Sequence, residues 1–135
     1  MSTERFFLDT AYVQALLNAR DEHHDQAVAL FPRVRAAQEV WITEAILVEV
    51  CNALARSLRK DAANFIARCY VTANVRVVPV DTAPLNRALE LYVQRADKAW
   101  SLTDCVSFVV MRDHQIADAL TMDEHFRQAG FHPLL

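Results

Sequence analysis

Glycine is almost absent from this sequence: Gly130 is the only one in 135 residues, and there are four prolines. So few turn-forming residues argue against an all-β sandwich, which needs a turn every few residues. They favour long helices with short connections. The three cysteines, Cys51, Cys69 and Cys105, sit inside apolar, helix-like segments, with no CxxC pair and no Cys/His spacing of a zinc site. They read as small buried hydrophobes in a reducing compartment. No stretch reaches the ~18 apolar residues of a membrane span. The opening MSTERFFLDT lacks a basic region followed by a long apolar run, so no signal peptide is expected. The expectation is a cytoplasmic protein with no membrane partner. Lysine is scarce as well, with only Lys60 and Lys98. A phosphoacceptor receiver domain needs an early acidic pair and a late strand-end lysine, and neither is here. A haloacid-dehalogenase phosphatase needs D-x-D after the first strand, where this chain has LDTAY.

What is present is apolar residue, at 53%, enough for one core in one domain over residues 1–135. The periodicity alternates between short β-rich runs and helical stretches. RFFL (Arg5–Leu8) predicts a buried strand, and 11–18 and 25–38 predict helices. Residues 40–43 predict a second strand and 44–58 a helix with Thr43 as N-cap. Residues 61–74 predict a further helix. VRVVPV, 75–80, predicts a third strand, placed by Pro79 near an edge or strand end. Helices follow over about 82–96 and 103–113. Residues 116–120 predict a strand and 124–128 a short helix, with Gly130 suited to its C-cap. Residues 131–135 predict a final short strand. This alternation predicts an α/β fold, a central parallel sheet of four to five strands with helices on both faces. Ligands of such sheets sit at the C-terminal ends of the strands.

Four acids bear on chemistry. Asp9 ends the first strand and also suits the N-cap of the next helix. Glu49 lies inside AILVEVCNAL, beside the apolar face made by Leu47, Val50, Cys51, Leu54 and Leu58. It reads either as a solvated side chain attracted to Arg56 or as a carboxylate aimed into a cleft. Asp104 opens a helix in SLTDCVSFVV, and Asp123 stands between a strand and a helix in ALTMDEHF. Capping alone accounts for each of these last two. Asp118 precedes its strand and would lie at the opposite end of the sheet. Together, Asp9, Asp104 and Asp123 converge on one sheet edge, where like charges repel unless a cation neutralises them. Oxygen donors without paired His or Cys suit Mg²⁺ or Mn²⁺. Such ions bind phosphate oxygens and activate water toward a phosphodiester.

These residues give the chain a family resemblance. It resembles PIN-domain nucleases, VapC-type toxins above all, over almost its full length. The resemblance rests on FFLDTAYVQALLN, LVEVCNAL, SLTDCVSFVVM and LTMDEHFRQAGF, in that order. It implies a PIN fold with Asp9, Glu49, Asp104 and Asp123 as the acidic, metal-binding site. Asp9 and Asp104 match the family's most regular ligand positions. Thr10 and Thr103 match hydroxyls that orient ligands or bound water. It implies a Mg²⁺- (or Mn²⁺-) dependent endoribonuclease, the toxin of a toxin–antitoxin pair. Its partners would be RNA and a small antitoxin, in a homodimer or toxin–antitoxin hetero-oligomer. The alternative is a PIN-fold RNA- or protein-binding module without catalysis. Setting the four acids aside turns the net charge of −3 slightly positive. Arg20, Arg56, Arg59, Lys60 and Lys98 are candidate phosphate contacts. Trp100, in an expected loop, is the better base-stacking candidate, and Trp41 and Tyr70 are expected in the core. The five histidines show no ligand spacing. His125, beside the acidic turn, could touch substrate but is expected at the surface. The helices over 44–74 are the expected walls of an antitoxin groove.

Overall fold

A computed structural model describes residues 2–135. The elements run β1 (Arg5–Leu8), α1 (Thr10–Leu17), α2 (His24–Arg35), β2 (Glu39–Thr43), α3 (Glu44–Ala53), α4 (Arg59–Val71), β3 (Val75–Val78), α5 (Thr82–Gln94), α6 (Leu102–Asp113), β4 (Asp118–Leu120), α7 (Glu124–Gln128) and β5 (His132–Pro133). The five strands form one parallel sheet in the order β3-β2-β1-β4-β5. This is the α/β architecture expected from the alternating pattern. Pro79 falls just past β3, an edge strand, where a missing N–H costs no ladder hydrogen bond. Gly130 follows α7 with φ 94°, a left-handed conformation that costs glycine little.

The first three strands step outward to one side of β1, and β4 and β5 step to the other. The order therefore reverses between β1 and β4, which opens a crevice at their C-terminal ends. Leu8 pairs with Leu120 there, so the residues following each, Asp9 and Thr121, become neighbours. The sheet's two faces explain its strand compositions. Phe6, Phe7, Val40, Ile42, Ala119 and Leu120 are all nearly or wholly buried. A parallel strand covered on both faces reads as a continuous apolar run rather than as alternation. The α6 segment is buried from Asp104 to Met111. Asp104, in its first turn, meets His125 just past β4 at 2.9 Å, so the N-terminus of α6 lies at the same edge as Asp9.

One helix is shorter than its sequence suggests. The stretch expected to run to Leu58 ends at Ala53, and residues 54–57 form a turn. Leu54 is 5% exposed at the C-cap, and the Arg59 guanidinium donates back to the Ala55 carbonyl at 3.1 Å. Tertiary packing thus overrides a local propensity that permits a helix throughout. Thr43 caps α3 as expected, accepting from the Ile46 N–H at 3.2 Å. Among the described residues, no helix is long and apolar enough to cross a membrane.

Candidate active site

Asp9 is 5% exposed and stands at the end of β1. Its backbone N–H donates to the Leu120 carbonyl at 3.2 Å, which ties it to β4. It occupies the N-cap position of α1, but its side chain makes no capping hydrogen bond. Capping therefore does not account for this carboxylate. Instead Thr121 Oγ1 donates to Asp9 Oδ2 at 2.7 Å. The same Oγ1 accepts from the Asp123 N–H at 2.9 Å. One fully buried hydroxyl so links two acids across the switch point. Burial pushes the Asp9 carboxyl up to about 7, against the Thr121 hydroxyl and the Thr10 backbone N–H, which favour the ionised form; the charges of Asp104 and Asp123 push the same way as burial.

Asp104 lies one turn into α6 and does two jobs. With Ser101 it forms a capping box: the Asp104 N–H donates to Ser101 Oγ at 3.0 Å, and the Ser101 N–H donates to Asp104 Oδ2 at 3.1 Å. A helix N-terminus favours negative charge, yet burial outweighs that here and raises the Asp104 carboxyl above its ordinary range. Among the described residues, its side-chain hydrogen bonds fall on Oδ2 alone.

Asp123 is the N-cap of α7 and accepts from the His125 N–H at 2.9 Å. The His125 ring turns into the site, contrary to its expected place on the surface. Its Nδ1 is 2.9 Å from Asp104 Oδ2 and 3.3 Å from Asp123 Oδ1. Ligand atoms of Asp104, Asp123 and His125 all lie within 4.8 Å of one another, a group able to hold a metal ion.

The remaining expected residues divide. Thr10 is buried, and its Oγ1 is a buried polar atom without a hydrogen-bond partner among the described residues. An orphaned hydroxyl costs about 1–3 kcal/mol, so its place beside Asp9 suits a site that takes up a further polar group. Thr103 is half-buried; its carbonyl accepts from Ser107 Oγ at 3.1 Å. Glu49 is half-buried on α3, which packs on α6, and it stands outside the Asp104–Asp123–His125 group. The donor set fits a divalent cation: the carboxylates of Asp104 and Asp123 with the His125 ring beside them, and Asp9 joined to Asp123 through the Thr121 hydroxyl.

Several surface assignments reverse. Trp100 lies in the expected loop but is only 5% exposed, so its ring is not displayed for stacking. Its Nε1 donates to Gln128 Oε1 at 3.0 Å, and its ring packs edge-on against Phe108 at 5.0 Å. Tyr70, expected inside, is 55% exposed and donates to Glu44 at 2.6 Å. Trp41 is half-buried and stacks on His114 at 4.1 Å. Lys98 pairs with Asp97 at 3.8 Å, while Arg20, Arg56 and Lys60 are exposed. Thr121 and His125 are the site residues that motif reading left out of its acidic set. The T-x-D spacing carried the signal for Thr121, since a hydroxyl two residues before an N-cap acid sits within reach of that acid's N–H.

Comparison with known proteins places this geometry. The PIN domain profile matches residues 6–132. The chain is 32% identical over 125 residues to "23S rRNA-specific endonuclease VapC20" of Mycobacterium tuberculosis, a match spanning 93% of this chain and 94% of that protein. A crystal structure of Mycobacterium tuberculosis VapC20, described as a Sarcin-Ricin loop cleaving toxin, superposes with TM-score 0.86 at 30% identity, covering 96% of this chain and 98% of that one. DNA-bound VapBC from Salmonella typhimurium shares the fold alone, with TM-score 0.64 at 14% identity over 98% of each chain. An acidic edge at the β1/β4 switch point, a profile spanning nearly the whole chain and a relative matched end to end have one reading: the chain belongs to the PIN-domain family.

Proposed function

We propose that this chain is a metal-dependent endoribonuclease, the toxin of a toxin–antitoxin pair, acting as a single PIN domain over residues 1–135. The observation that carries the reading is the buried carboxylate Asp9 joined through Thr121 to Asp123 at the edge where Asp104 begins α6. The likeness to a 23S rRNA endonuclease supports RNA as the substrate class. Asp9, Asp104 and Asp123 would hold Mg²⁺ or Mn²⁺, with Glu49 joining directly or through water. The cation supplies charge neutralisation at a phosphodiester and activation of the attacking water.

The protein's own groups do the rest. Thr121 fixes the Asp9 carboxylate through Oδ2, which sets where its other oxygen stands. Ser101 does the same for Asp104 through the capping box. Both carboxyls bind protons more tightly than ordinary aspartates because they are buried. To act as donors, Asp9 and Asp104 would each have to give up that proton, and a cation between them would favour the ionised form. Thr10 Oγ1 supplies a donor to a group entering the site, and Thr103 stands at the mouth of α6.

The partner reading has its own surface. A groove of about 570 Å³ opens between α1, α2 and α4. Leu16, Phe31 and Phe65 line it, and its charged flank holds Arg35 and Arg68 against the single acid Asp61. Its α4 side lies within the walls expected over 44–74, α1 and α2 lie outside them, and α3 does not line it. An antitoxin helix with an apolar stripe and acidic flanks suits this groove, and a basic side chain from its tail would pair with the acidic edge.

The test is cleavage of a synthetic ribosomal stem-loop RNA by the purified chain. Cutting at a defined bond with Mg²⁺ or Mn²⁺, and none in EDTA, supports the reading. RNA binding without cleavage under any divalent ion would instead make the chain a binding module.

A further inference from the structure

Oxygen donors alone leave a site free to take Mg²⁺, but this site includes a nitrogen. His125 Nδ1 stands 2.9 Å from Asp104 Oδ2 and 3.3 Å from Asp123 Oδ1. One ligand atom from each of the three lies within 4.8 Å of the other two. Donors at ~2.0–2.2 Å from one ion are separated by little more than 4 Å at most, so a small inward movement brings all three onto one ion.

The ring is placed, not free. The His125 N–H is anchored on Asp123 Oδ1 at 2.9 Å. The next residue, Phe126, is wholly buried, with its ring 5.1 Å from Phe108 and 6.3 Å from Phe7. That anchor fixes α7 against α6 and β1. The His125 side chain is only 28% exposed. Among the described residues, every polar contact of its Nδ1 is to a carboxylate already assigned to the cation.

Resting on the metal-site reading above, we propose that His125 Nδ1 is a third donor to the cation held by Asp104 and Asp123. This nitrogen makes the site discriminate among divalent ions. Mg²⁺ gains little from an imidazole, whereas first-row transition ions gain progressively more from Mn²⁺ to Co²⁺. On binding, the hydrogen bond between Nδ1 and Asp104 Oδ2 gives way to a nitrogen–metal contact. The neutral ring then carries its proton on Nε2.

The experiment is calorimetric titration of the full chain with Mg²⁺, Mn²⁺ and Co²⁺, on wild type, His125→Ala, His125→Gln and Asp104→Asn. Circular dichroism checks that each variant folds. Electron spin-echo spectroscopy of the Mn²⁺-loaded wild type is run alongside and needs no variant. The expected result is a graded loss in both His125 variants. Co²⁺ affinity falls by at least about tenfold, Mn²⁺ by less, and Mg²⁺ changes by no more than about twofold. The wild-type Mn²⁺ spectrum shows directly bound ¹⁴N, and the His125 variants lose it. Equal losses for the three ions, or a wild-type spectrum without nitrogen coupling, overturns the proposal. If Asp104→Asn abolishes binding while the His125 variants keep the wild-type ion order, the carboxylate site stands and only the nitrogen donor fails. If the wild type binds none of the ions at millimolar concentration, the metal-site reading fails and this proposal with it.

Discussion

Asp9 makes the metal-free protein's stability fall as pH rises. Its carboxyl is raised from 3.8 to about 7 by burial first. A folded-state pKa above the unfolded value means that the native state holds a proton the unfolded chain has lost. The stabilisation is complete below the unfolded value near 3.8 and is lost progressively as pH climbs to about 7. At 1.36 kcal/mol for each factor of ten in proton affinity, the full loss is about 4 kcal/mol. Asp9→Asn keeps an acceptor for Thr121 Oγ1 and removes the charge. Above pH 7.5 in EDTA the variant should be more stable than wild type by several kcal/mol, roughly 10 °C in melting temperature. Near pH 4 the two should converge. Urea unfolding of both proteins at half-unit steps from pH 4 to 8, in EDTA, measures the difference directly. The difference isolates Asp9 from Asp104, whose raised carboxyl gives both proteins a residual slope of the same sign. A difference that is constant with pH would refute the argument, because it would mean that Asp9 titrates alike in the folded and unfolded chain.

Asp104→Asn should raise the metal-free melting temperature at neutral pH and blunt the rise that millimolar Mn²⁺ gives the wild type, both read by a thermal melt. Thr121→Val removes the donor to Asp9 and the acceptor of the Asp123 N–H; urea unfolding should show a loss of about 1–3 kcal/mol, and RNA cleavage should fall with it. Trp100→Ala should cost about 3–5 kcal/mol as a core truncation. RNA affinity of the folded fraction should stay unchanged, which a gel-shift titration checks.

The switch-point acid was legible because its signals are local. RFFL is a short apolar run, and the chain turns at Asp9 directly after it. The T-x-D-x-x-F segment likewise states its own turn, since Asp123 caps α7 and Phe126 enters the core. The reversals lie where the deciding partner is distant in sequence. Trp100 sits in a polar neighbourhood, but Gln128 and Phe108 bury it, with the Arg95 guanidinium 5.1 Å from its ring. His125 has no ligand spacing of its own. It meets Asp104 only because β4 lies beside β1 and α6 starts at that edge. The break after Ala53 was hidden because residues 54–57 tolerate a helix, and the burial of Leu54 at the C-cap has no local signal. Tyr70 looked like core because it lies in an apolar stretch. It falls instead on the open face of α4, where Glu44 takes its hydroxyl.

The central claim is that Asp9 serves a cation-dependent cut in RNA, and a single-turnover cleavage assay tests it most directly. Wild type and Asp9→Asn are compared on the same ribosomal stem-loop RNA, each with Mn²⁺ and each in EDTA. The account predicts cleavage by the wild type with Mn²⁺ alone, and none by Asp9→Asn in either condition although that variant is folded and more stable. Cleavage by Asp9→Asn at the wild-type rate, or by either protein in EDTA, would contradict it.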